Sequence, residues 1–272
     1  MTVPDTLRAA SARLADTSDT PRLDAELLLA HALGISREEV ILRQRDLAVP
    51  PGFNALLDRR LLGEPVAYII GTRDFWTLTL AVTPAVLIPR PDSETLIEAA
   101  IDHFQTRAPT TILDLGTGSG ALLLAALDQW PDARGLGVDA STEALEVARG
   151  NAQRLGLADR ADFALGDWGA GLTSPFDLIL INPPYIATSA LLSRDVLHHE
   201  PHSALFAGDE GLDEYRRIAP QLPGLLAPGG MAALEIGFDQ RESVSALLRR
   251  VGLTVSARTD LAGLDRCLVA FP

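Results

Sequence analysis

The chain has 272 residues, of which 47% are hydrophobic, and its 36 acidic residues outnumber 23 basic ones, giving a formal net charge of −13. This length and apolar content predict one large domain with a smaller one, or two domains. The acidic balance, with a pI of about 4.7, disfavours broad non-specific binding to nucleic acid, although a local basic patch stays compatible with it.

The cysteine content and the first residues of the chain bear on where the protein works. Cys267 is the single cysteine, so no disulfide can form within one chain, which fits a reducing compartment. The opening residues MTVPDTLRAA lack the basic start and apolar core of a signal peptide. No uncharged apolar run is long enough to span a bilayer. We therefore expect a soluble, cytoplasmic protein.

Residues 1–73 predict a small N-terminal domain of four short amphipathic helices. Apolar residues recur there at helical spacing, for example after Pro21. Ser36 and Glu39 have the spacing of a capping box at the start of the third helix. None of these helices carries a cluster of histidines, cysteines or paired carboxylates that face one way. Recognition of a partner is therefore a better hypothesis for this domain than chemistry.

Residues 74–90 predict a β-hairpin that links the two domains. The segment FWTLTLAVTP alternates between apolar and polar residues, as an extended strand or hairpin does. The following LIPRPD is rigid because prolines bracket Arg90. Asp92 is expected to cap the helix that continues through Phe104.

Residues 91–272 predict an α/β domain in which apolar strands alternate with helices. Such alternation is typical of a mostly parallel sheet that is covered by helices on both faces. The predicted strands are seven: ILDLG, ARGLGVD, ADFAL, FDLILI, MAALEIG and two short ones near the C-terminus.

A glycine-rich turn, DLGTGSGA, ends the first of these strands. Its glycines permit a tight turn and a close approach of a ligand to the backbone. Their spacing also fits a dinucleotide fingerprint. However, a carboxylate at Asp114 would repel a pyrophosphate and could hold an ammonium group, so we expect a nucleoside with a cationic amino-acid tail, such as S-adenosylmethionine. The predicted cofactor residues of the turn are Asp114, Gly116, Thr117, Gly118, Ser119 and Gly120.

Acidic residues follow the next two strands and extend the predicted cofactor site. Asp139 ends the second strand, 21 residues beyond Gly118, where a carboxylate can accept both hydrogen bonds of a ribose diol. Helix capping is the alternative role for such an acid, but Ser141 can provide that cap instead. After the third strand, Asp167 can take an adenine amino group and Trp168 can pack on the ring, unless Trp168 is simply a core residue.

The fourth strand, FDLILI, runs directly into the motif Asn182-Pro183-Pro184-Tyr185. The proline after Asn182 favours an extended conformation there. Asn182 offers a side-chain oxygen and Pro183 a main-chain carbonyl, so that the motif presents two acceptors on a rigid frame. Tyr185 is available to stack on a flat group. A proline-stiffened turn without function is the alternative.

Two fixed acceptors suit a planar NH₂ group, whose nitrogen is poorly nucleophilic because its lone pair is delocalised. Binding both N–H bonds can turn the lone pair towards a sulfonium methyl, so that catalysis depends mostly on positioning and electrostatics. We therefore predict Asn182 and Pro183 as catalytic residues. Asn182, Pro183, Pro184 and Tyr185 form the predicted substrate site, and Asn182 also borders the cofactor.

Several motifs resemble one enzyme family. NPPY with DLGTGSG is similar to the amino-methylating methyltransferases that use S-adenosylmethionine. The segments GEPVAYIIGTRDFW, VLIPRPDSETL, EPHSALFAGDEGLDEYRRI, GGMAALEIGFDQ and DLAGLDR narrow the resemblance to the peptide chain release factor glutamine methyltransferases of the HemK/PrmC type. The match extends from about Gly63 to Arg266, after a compatible helical N-terminal part.

The resemblance implies a Rossmann-like class I methyltransferase domain and a specific reaction. The enzyme would methylate N5 of the glutamine in the Gly-Gly-Gln (GGQ) motif of bacterial class 1 release factors and leave S-adenosylhomocysteine. Residues 1–73 and the hairpin would help to engage the release factor. No metal, no direct contact with nucleic acid and a monomeric state are expected. His198 and His199 depart from the arginine or aromatic residue expected before Glu200-Pro201, which makes the partner contacts less defined.

Three alternatives remain at this level. An adenine-N6 methyltransferase acting on DNA or RNA would use the same motif, but the acidic composition disfavours the phosphate contacts it needs. A non-catalytic module that retained a cofactor pocket is the second. A zinc site at His198, His199 and His202 is the third, although no cysteine lies near them.

Overall fold

A computed structural model describes residues 2–272. Its contacts divide the chain into two compact units. The first is the chain up to Thr72 together with Leu192–His199, and the second is Arg73–Leu191 with Glu200–Pro272. The predicted ranges were 1–73, 74–90 and 91–272. The whole of the predicted hairpin range 74–90 lies in the second unit, and the short later segment Leu192–His199 lies in the first. The roles assigned to these ranges stay predictions.

The first unit is helical, as predicted, with one N-terminal helix more than the four that the sequence indicated, besides the later helix Arg194–His199. Its N-terminal helices are α1 (Val3–Leu14), α2 (Pro21–Leu33), α3 (Arg37–Arg43), α4 (Phe53–Leu61) and α5 (Val66–Ile70). Five apolar residues are too few for periodicity to distinguish a helix from a strand, which is why α5 was not predicted. The capping box of α3 is confirmed by reciprocal hydrogen bonds between Ser36 and Glu39.

The predicted hairpin is present as β1 (Thr72–Phe75) and β2 (Leu78–Ala81). Phe75 and Leu80 are fully buried in the main core of the second unit. The Thr77 hydroxyl donates to Asp128 over 2.7 Å. The hairpin is therefore packed onto the second unit.

A seven-stranded, mostly parallel sheet forms the centre of the second unit, as predicted. Its strands are β3 (Thr111–Leu115), β4 (Arg134–Asp139), β5 (Ala161–Leu165), β6 (Phe176–Ile181), β7 (Leu226–Glu235), β8 (Thr254–Thr259) and β9 (Asp265–Phe271). Their spatial order is β5-β4-β3-β6-β7-β9-β8, and β9 alone runs in the opposite direction to the other six strands. All six residues of β6 are buried, which explains its continuous apolar sequence.

The other helices are α6 (Glu94–His103), α7 (Ala121–Gln129), α8 (Thr142–Arg154), α9 (Arg194–His199), α10 (Asp213–Ile218), α11 (Leu222–Leu225) and α12 (Arg241–Arg250). The segment GLDEYRRIAPQLPGLL is divided into α10, a 3₁₀ turn and α11, because Pro220 and Pro223 lack the N–H that a continuous helix needs. In the described part of the chain, no helix is both long enough and apolar enough to cross a membrane.

The prediction that Asp92 caps the next helix is wrong. Asp92 lies inside a 3₁₀ turn, Pro91–Ser93, that runs directly into α6, and no side chain caps that helix. The Asp92 carboxylate instead pairs with Arg266 at 3.3 Å. The turn leaves Ser93 buried at the start of α6.

The strand order places a ligand site between β3 and β6. The chain moves outward from β3 through β4 to β5 and then returns to the other side of β3 as β6. In open parallel sheets, ligands bind at such a switch point, beyond the carboxyl ends of the strands. Leu115 pairs with Ile181 across it, so the glycine turn and Asn182 leave adjacent strands side by side.

Candidate active site

The glycine turn adopts a conformation that requires glycine. Gly116, Gly118 and Gly120 have φ values of 76°, 53° and 83°, a region that other residues rarely enter. A Cβ atom on Gly116 would also lie 3.1 Å from the Trp168 ring. The turn therefore exposes bare backbone beside an aromatic face, as a close-fitting ligand requires.

Asp114 lies beneath this turn and is 1% exposed. Its Oδ2 accepts from the Thr117 hydroxyl at 2.6 Å and from the Leu123 N–H at 3.3 Å. Its Oδ1 is buried and has no partner, an arrangement that is unfavourable unless a ligand donates to it. Burial raises the pKa of Asp114 to about 7, and the nearby Asp139 adds to this rise.

Asp139 stabilises the turn from the end of β4. Its Oδ2 accepts from the Gly118 N–H at 2.8 Å, and its Oδ1 accepts from the Ser141 N–H at 2.9 Å. Ser141 itself caps α8 through the Ala144 N–H, so the capping role belongs to Ser141. Each carboxylate oxygen retains acceptor capacity, and Asp139 is partly exposed at the cavity wall.

Trp168 has a left-handed backbone conformation, with φ 52°, which costs roughly 1–3 kcal/mol for a residue other than glycine. Its indole N–H donates to Glu214 at 2.7 Å, and its ring lies against Gly116. Trp168 is thus held at the cavity wall. The neighbouring Asp167 is exposed and pairs with Arg217.

The Asn182 carboxamide is oriented by a side chain that the sequence did not single out. Its Nδ2 donates to the Ser93 hydroxyl at 3.0 Å. The Ser93 hydroxyl in turn donates to Oε2 of Glu235. With its NH₂ group engaged, Asn182 has its Oδ1 available as an acceptor.

Glu235 and Gln240 hold Tyr185 in place. The Tyr185 hydroxyl donates to Oε1 of Glu235 at 3.1 Å, and Gln240 Nε2 donates to the Tyr185 carbonyl at 3.0 Å. A Cβ atom on Gly211 would lie 2.2 Å from that carbonyl, so the chain there passes as closely as a glycine permits. Burial and the Glu235 charge raise the pKa of Tyr185 well above its usual value, so the hydroxyl stays a donor.

A cavity of about 840 Å³ joins most of these residues within the second unit. Five of the six predicted residues of the glycine turn line this cavity, Gly120 being the exception, and so do Asp139, Asp167 and Trp168. Of the NPPY motif, Asn182 and Pro184 are at its wall, while Pro183 and Tyr185 are not. The structure therefore brings the predicted cofactor residues to one place, with Asn182 at the same cavity.

Several residues that support the site were missed, and Glu214 and Gln240, which hold Trp168 and Tyr185, are among them. Ser93 and Glu235 orient Asn182, and Asn151 donates from Nδ2 to the Ser119 carbonyl at 2.8 Å while its Oδ1 accepts from the Ala81 N–H. An acid at the end of a buried strand, next to the strand of the NPPY motif, was a signal for Glu235. Ser93 and Asn151 carried no local signal, because their partners lie far away in sequence.

The three histidines considered as a zinc site, His198, His199 and His202, do not all belong to one unit. His198 and His199 end α9 in the first unit, whereas His202 belongs to the second and packs edge-on against Phe206. Among residues 2–272, no group of three or more His, Cys, Asp or Glu side chains is arranged to hold a metal ion.

Comparisons with known proteins agree with this architecture. A family described as "PrmC N-terminal domain" matches residues 5–71, and one described as "Methyltransferase domain" matches residues 107–235. The chain is also similar in fold to the hMettl16 catalytic domain in complex with MAT2A 3'UTR hairpin 6, with a TM-score of 0.57 at 16% identity over 79% of this chain and 81% of that one.

Curated relatives match over almost the whole chain. The release factor glutamine methyltransferase of Caulobacter vibrioides is 44% identical over 96% of this chain and 93% of its own. The enzyme of the same name from Bordetella pertussis is 46% identical over 90% of this chain and 93% of its own. Identity at this level over both units shows common family membership. The chain belongs to the release factor glutamine methyltransferase family.

Proposed function

We propose that this protein transfers a methyl group from S-adenosylmethionine to the side-chain nitrogen N5 of the glutamine in the GGQ motif of bacterial class 1 release factors. The observation that carries the proposal is the hydrogen bond from Asn182 Nδ2 to Ser93, which leaves the amide oxygen as an acceptor at the cavity beside the glycine turn. The full-length relatives are named for this reaction.

The enzyme uses S-adenosylmethionine, and the residues present fit it. The unpartnered, buried Oδ1 of Asp114 suits the ammonium group of the methionine tail, and Asp139 has acceptor capacity left for the ribose hydroxyls. Trp168 offers an aromatic wall and Asp167 an acceptor for the adenine. When bound, the cofactor supplies an electrophilic methyl on a sulfonium.

The protein's own residues then position the amide nitrogen. Asn182 Oδ1 and the Pro183 carbonyl accept hydrogen bonds from the two N–H groups of the substrate amide, and these fixed acceptors draw the nitrogen towards a tetrahedral geometry in which its lone pair is less conjugated. Pro184 and Tyr185 hold the adjoining chain. Positioning and electrostatic stabilisation are sufficient, because the alkylated nitrogen becomes acidic and loses its proton without a strong base.

The N-terminal helical domain, together with the hairpin, is proposed to engage the release factor. We further propose that the enzyme acts as a monomer, without direct contact with nucleic acid, in the cytoplasm where release factors work. The net charge of −13 supports a protein substrate over a phosphate backbone.

The test is incubation with methyl-labelled cofactor and one of three substrates. These are a purified class 1 release factor, the same factor with the GGQ glutamine changed to alanine, and duplex DNA or RNA. We expect label only in the unaltered factor. Label in the nucleic acid instead would support an adenine-N6 methyltransferase and overturn the proposal.

A further inference from the structure

We propose that Glu235 and Ser93 are positioning residues that set the orientation of the Asn182 carboxamide and, through the same carboxylate, the position of Tyr185. This inference rests on the proposed function, because it concerns how the substrate amide is held. Neither residue touches the reacting nitrogen in this scheme. Both act through the NPPY motif.

The direction of the hydrogen bonds follows from counting protons. The Ser93 hydroxyl has a single proton, and it is donated to Oε2 of Glu235. Ser93 Oγ can therefore only accept from Asn182, whose Nδ2 lies 3.0 Å away. A carboxamide that donates from nitrogen on one side presents its oxygen on the other. The pair thus selects the one amide orientation that offers an acceptor to the substrate.

Glu235 is suited to this task because it is an acceptor in a closed environment. It is 1% exposed, and its Oε1 accepts from the Tyr185 hydroxyl at 3.1 Å. One carboxylate therefore binds Tyr185 directly and Asn182 through the Ser93 hydroxyl. The Tyr215 hydroxyl holds the Glu235 backbone by donating to its carbonyl at 2.7 Å.

Two hydroxyl donors bind the buried Glu235 carboxylate. Burial and the nearby Asp92 charge raise the pKa of Glu235, and the Ser93 and Tyr185 hydroxyls and the Arg266 charge only partly offset that rise. Arg266 also pairs with Asp92 and Asp260 at 3.3 Å. The buried carboxylate thus has donors at both of its oxygens and a guanidinium nearby.

The sheet brings these residues together from three parts of the chain. Ile181 pairs with Leu234 in the parallel register of β6 and β7, so Asn182 and Glu235 leave neighbouring strands at the same level. Ser93 enters from the 3₁₀ turn before α6, 89 residues before Asn182. Because these three residues converge, the Asn182 amide can bind Ser93 only through its nitrogen, and its orientation is fixed. A contact that served packing alone would not need a fixed amide orientation.

The experiment measures steady-state turnover with the release factor and cofactor affinity by calorimetry. The variants are Ser93→Ala, which removes the hydroxyl, Ser93→Thr, which keeps it, and Glu235→Gln, whose amide can donate and so reverse the hydrogen bonds. Ser245→Ala removes another buried serine outside the site and is the matched control. The melting temperature of each variant shows whether it is folded.

We expect Ser93→Ala to lower kcat by about 10–100-fold, somewhat less than the loss of a direct transition-state contact. Cofactor affinity stays near the wild-type value. Ser93→Thr restores most of the turnover, Glu235→Gln lowers kcat at least as far as Ser93→Ala, and Ser245→Ala retains it. In an Asn182→Ala background, Ser93→Ala should cause no further loss, because the two act as one unit.

Wild-type kcat in Ser93→Ala, or an equal further loss in the Asn182→Ala background, would overturn the inference. Failure of Glu235→Gln to fold leaves the comparison of the two Ser93 variants decisive. The proposed function fails in a different way. In that case Asn182→Ala itself keeps full turnover, or the release factor is not methylated at all.

Discussion

The glycine turn and the NPPY motif, which are the proposed cofactor end and substrate end of the site, are stabilised in different ways. At the glycine turn, Thr117 binds Asp114 three residues away, and Gly118 binds Asp139 at a separation of 21 residues. At the NPPY motif, Asn182 binds Ser93 across 89 residues, and Tyr185 binds Glu235 across 50. The glycine turn is built from one βαβ neighbourhood, whereas the orientation of the NPPY side chains depends on segments that are far apart in the chain.

This difference separates two kinds of function. We propose that the locally built turn recognises the cofactor by its backbone shape and by two acids. At the proposed substrate end, the orientation of the Asn182 amide is fixed by partners that another strand and a turn supply. Variants at the cofactor end should therefore change affinity, and variants at the substrate end should change turnover.

The largest expected effect is at Asn182. Asn182→Ala removes the side-chain acceptor, and kcat should fall by about 10²–10³-fold, as for the loss of one preorganised polar contact. Cofactor affinity by calorimetry should stay largely intact. Unchanged turnover with the release factor would remove Asn182 from the mechanism.

The counterpart at the cofactor end is Asp139. Asp139→Ala removes an acceptor of the ribose hydroxyls and also frees the Gly118 N–H, so affinity for S-adenosylmethionine should fall by roughly 10–100-fold, since hydrogen bonds to a charged group contribute about 1.5–3 kcal/mol. The affinity of Asp139→Asn, which keeps one acceptor, should lie between those of the wild type and Asp139→Ala. Normal affinity in the alanine variant would contradict the ribose assignment.

A smaller, pH-dependent effect is expected at Asp114. Because its pKa in the free protein is raised to about 7, the carboxyl is protonated below that pH, and affinity for a cationic ligand should weaken as the pH falls from 7 to 5.5. Asp114→Asn should bind weakly without this pH dependence. Calorimetry across the pH range makes the comparison, and a parallel pH profile in both proteins would exclude Asp114 as the cause.

The stability of the cofactor-free protein supplies a check with the opposite sign. A carboxyl whose pKa is raised on folding binds its proton more tightly in the folded state, so its contribution to stability is lost as the pH rises from about 4 to 7. Asp114→Asn should therefore melt at a higher temperature than the wild type above pH 7. A lower melting temperature there would show that the Asp114 charge is well accommodated.

The smallest effect is expected at Asp167. Its carboxylate is exposed and already paired with Arg217, so loss of one hydrogen bond to the adenine in Asp167→Ala should weaken cofactor affinity by only about 2–10-fold. Arg217→Ala removes the ion pair and keeps the carboxylate. If both variants weaken binding equally, Asp167 acts through Arg217 and does not contact the adenine directly.

Much of the fold was predictable because its signals are local. Strand and helix alternation, the capping box at Ser36 and the glycine turn are each readable within a few residues. The errors also have local causes. Helix α5 is too short for periodicity, and Asp92 lies inside a turn that continues directly into α6, where it meets Arg266 in place of the helix N-terminus.

The sequence by itself determined the family, the parallel sheet and the residues at its carboxyl edge, because strand ends, glycines and the NPPY motif are patterns of adjacent residues. Only the tertiary structure decided which way the Asn182 amide is turned, which acid holds Tyr185 and which segment joins the first unit. Those features depend on the direction of single hydrogen bonds between residues far apart in the chain. No short stretch of sequence contains both partners of such a bond.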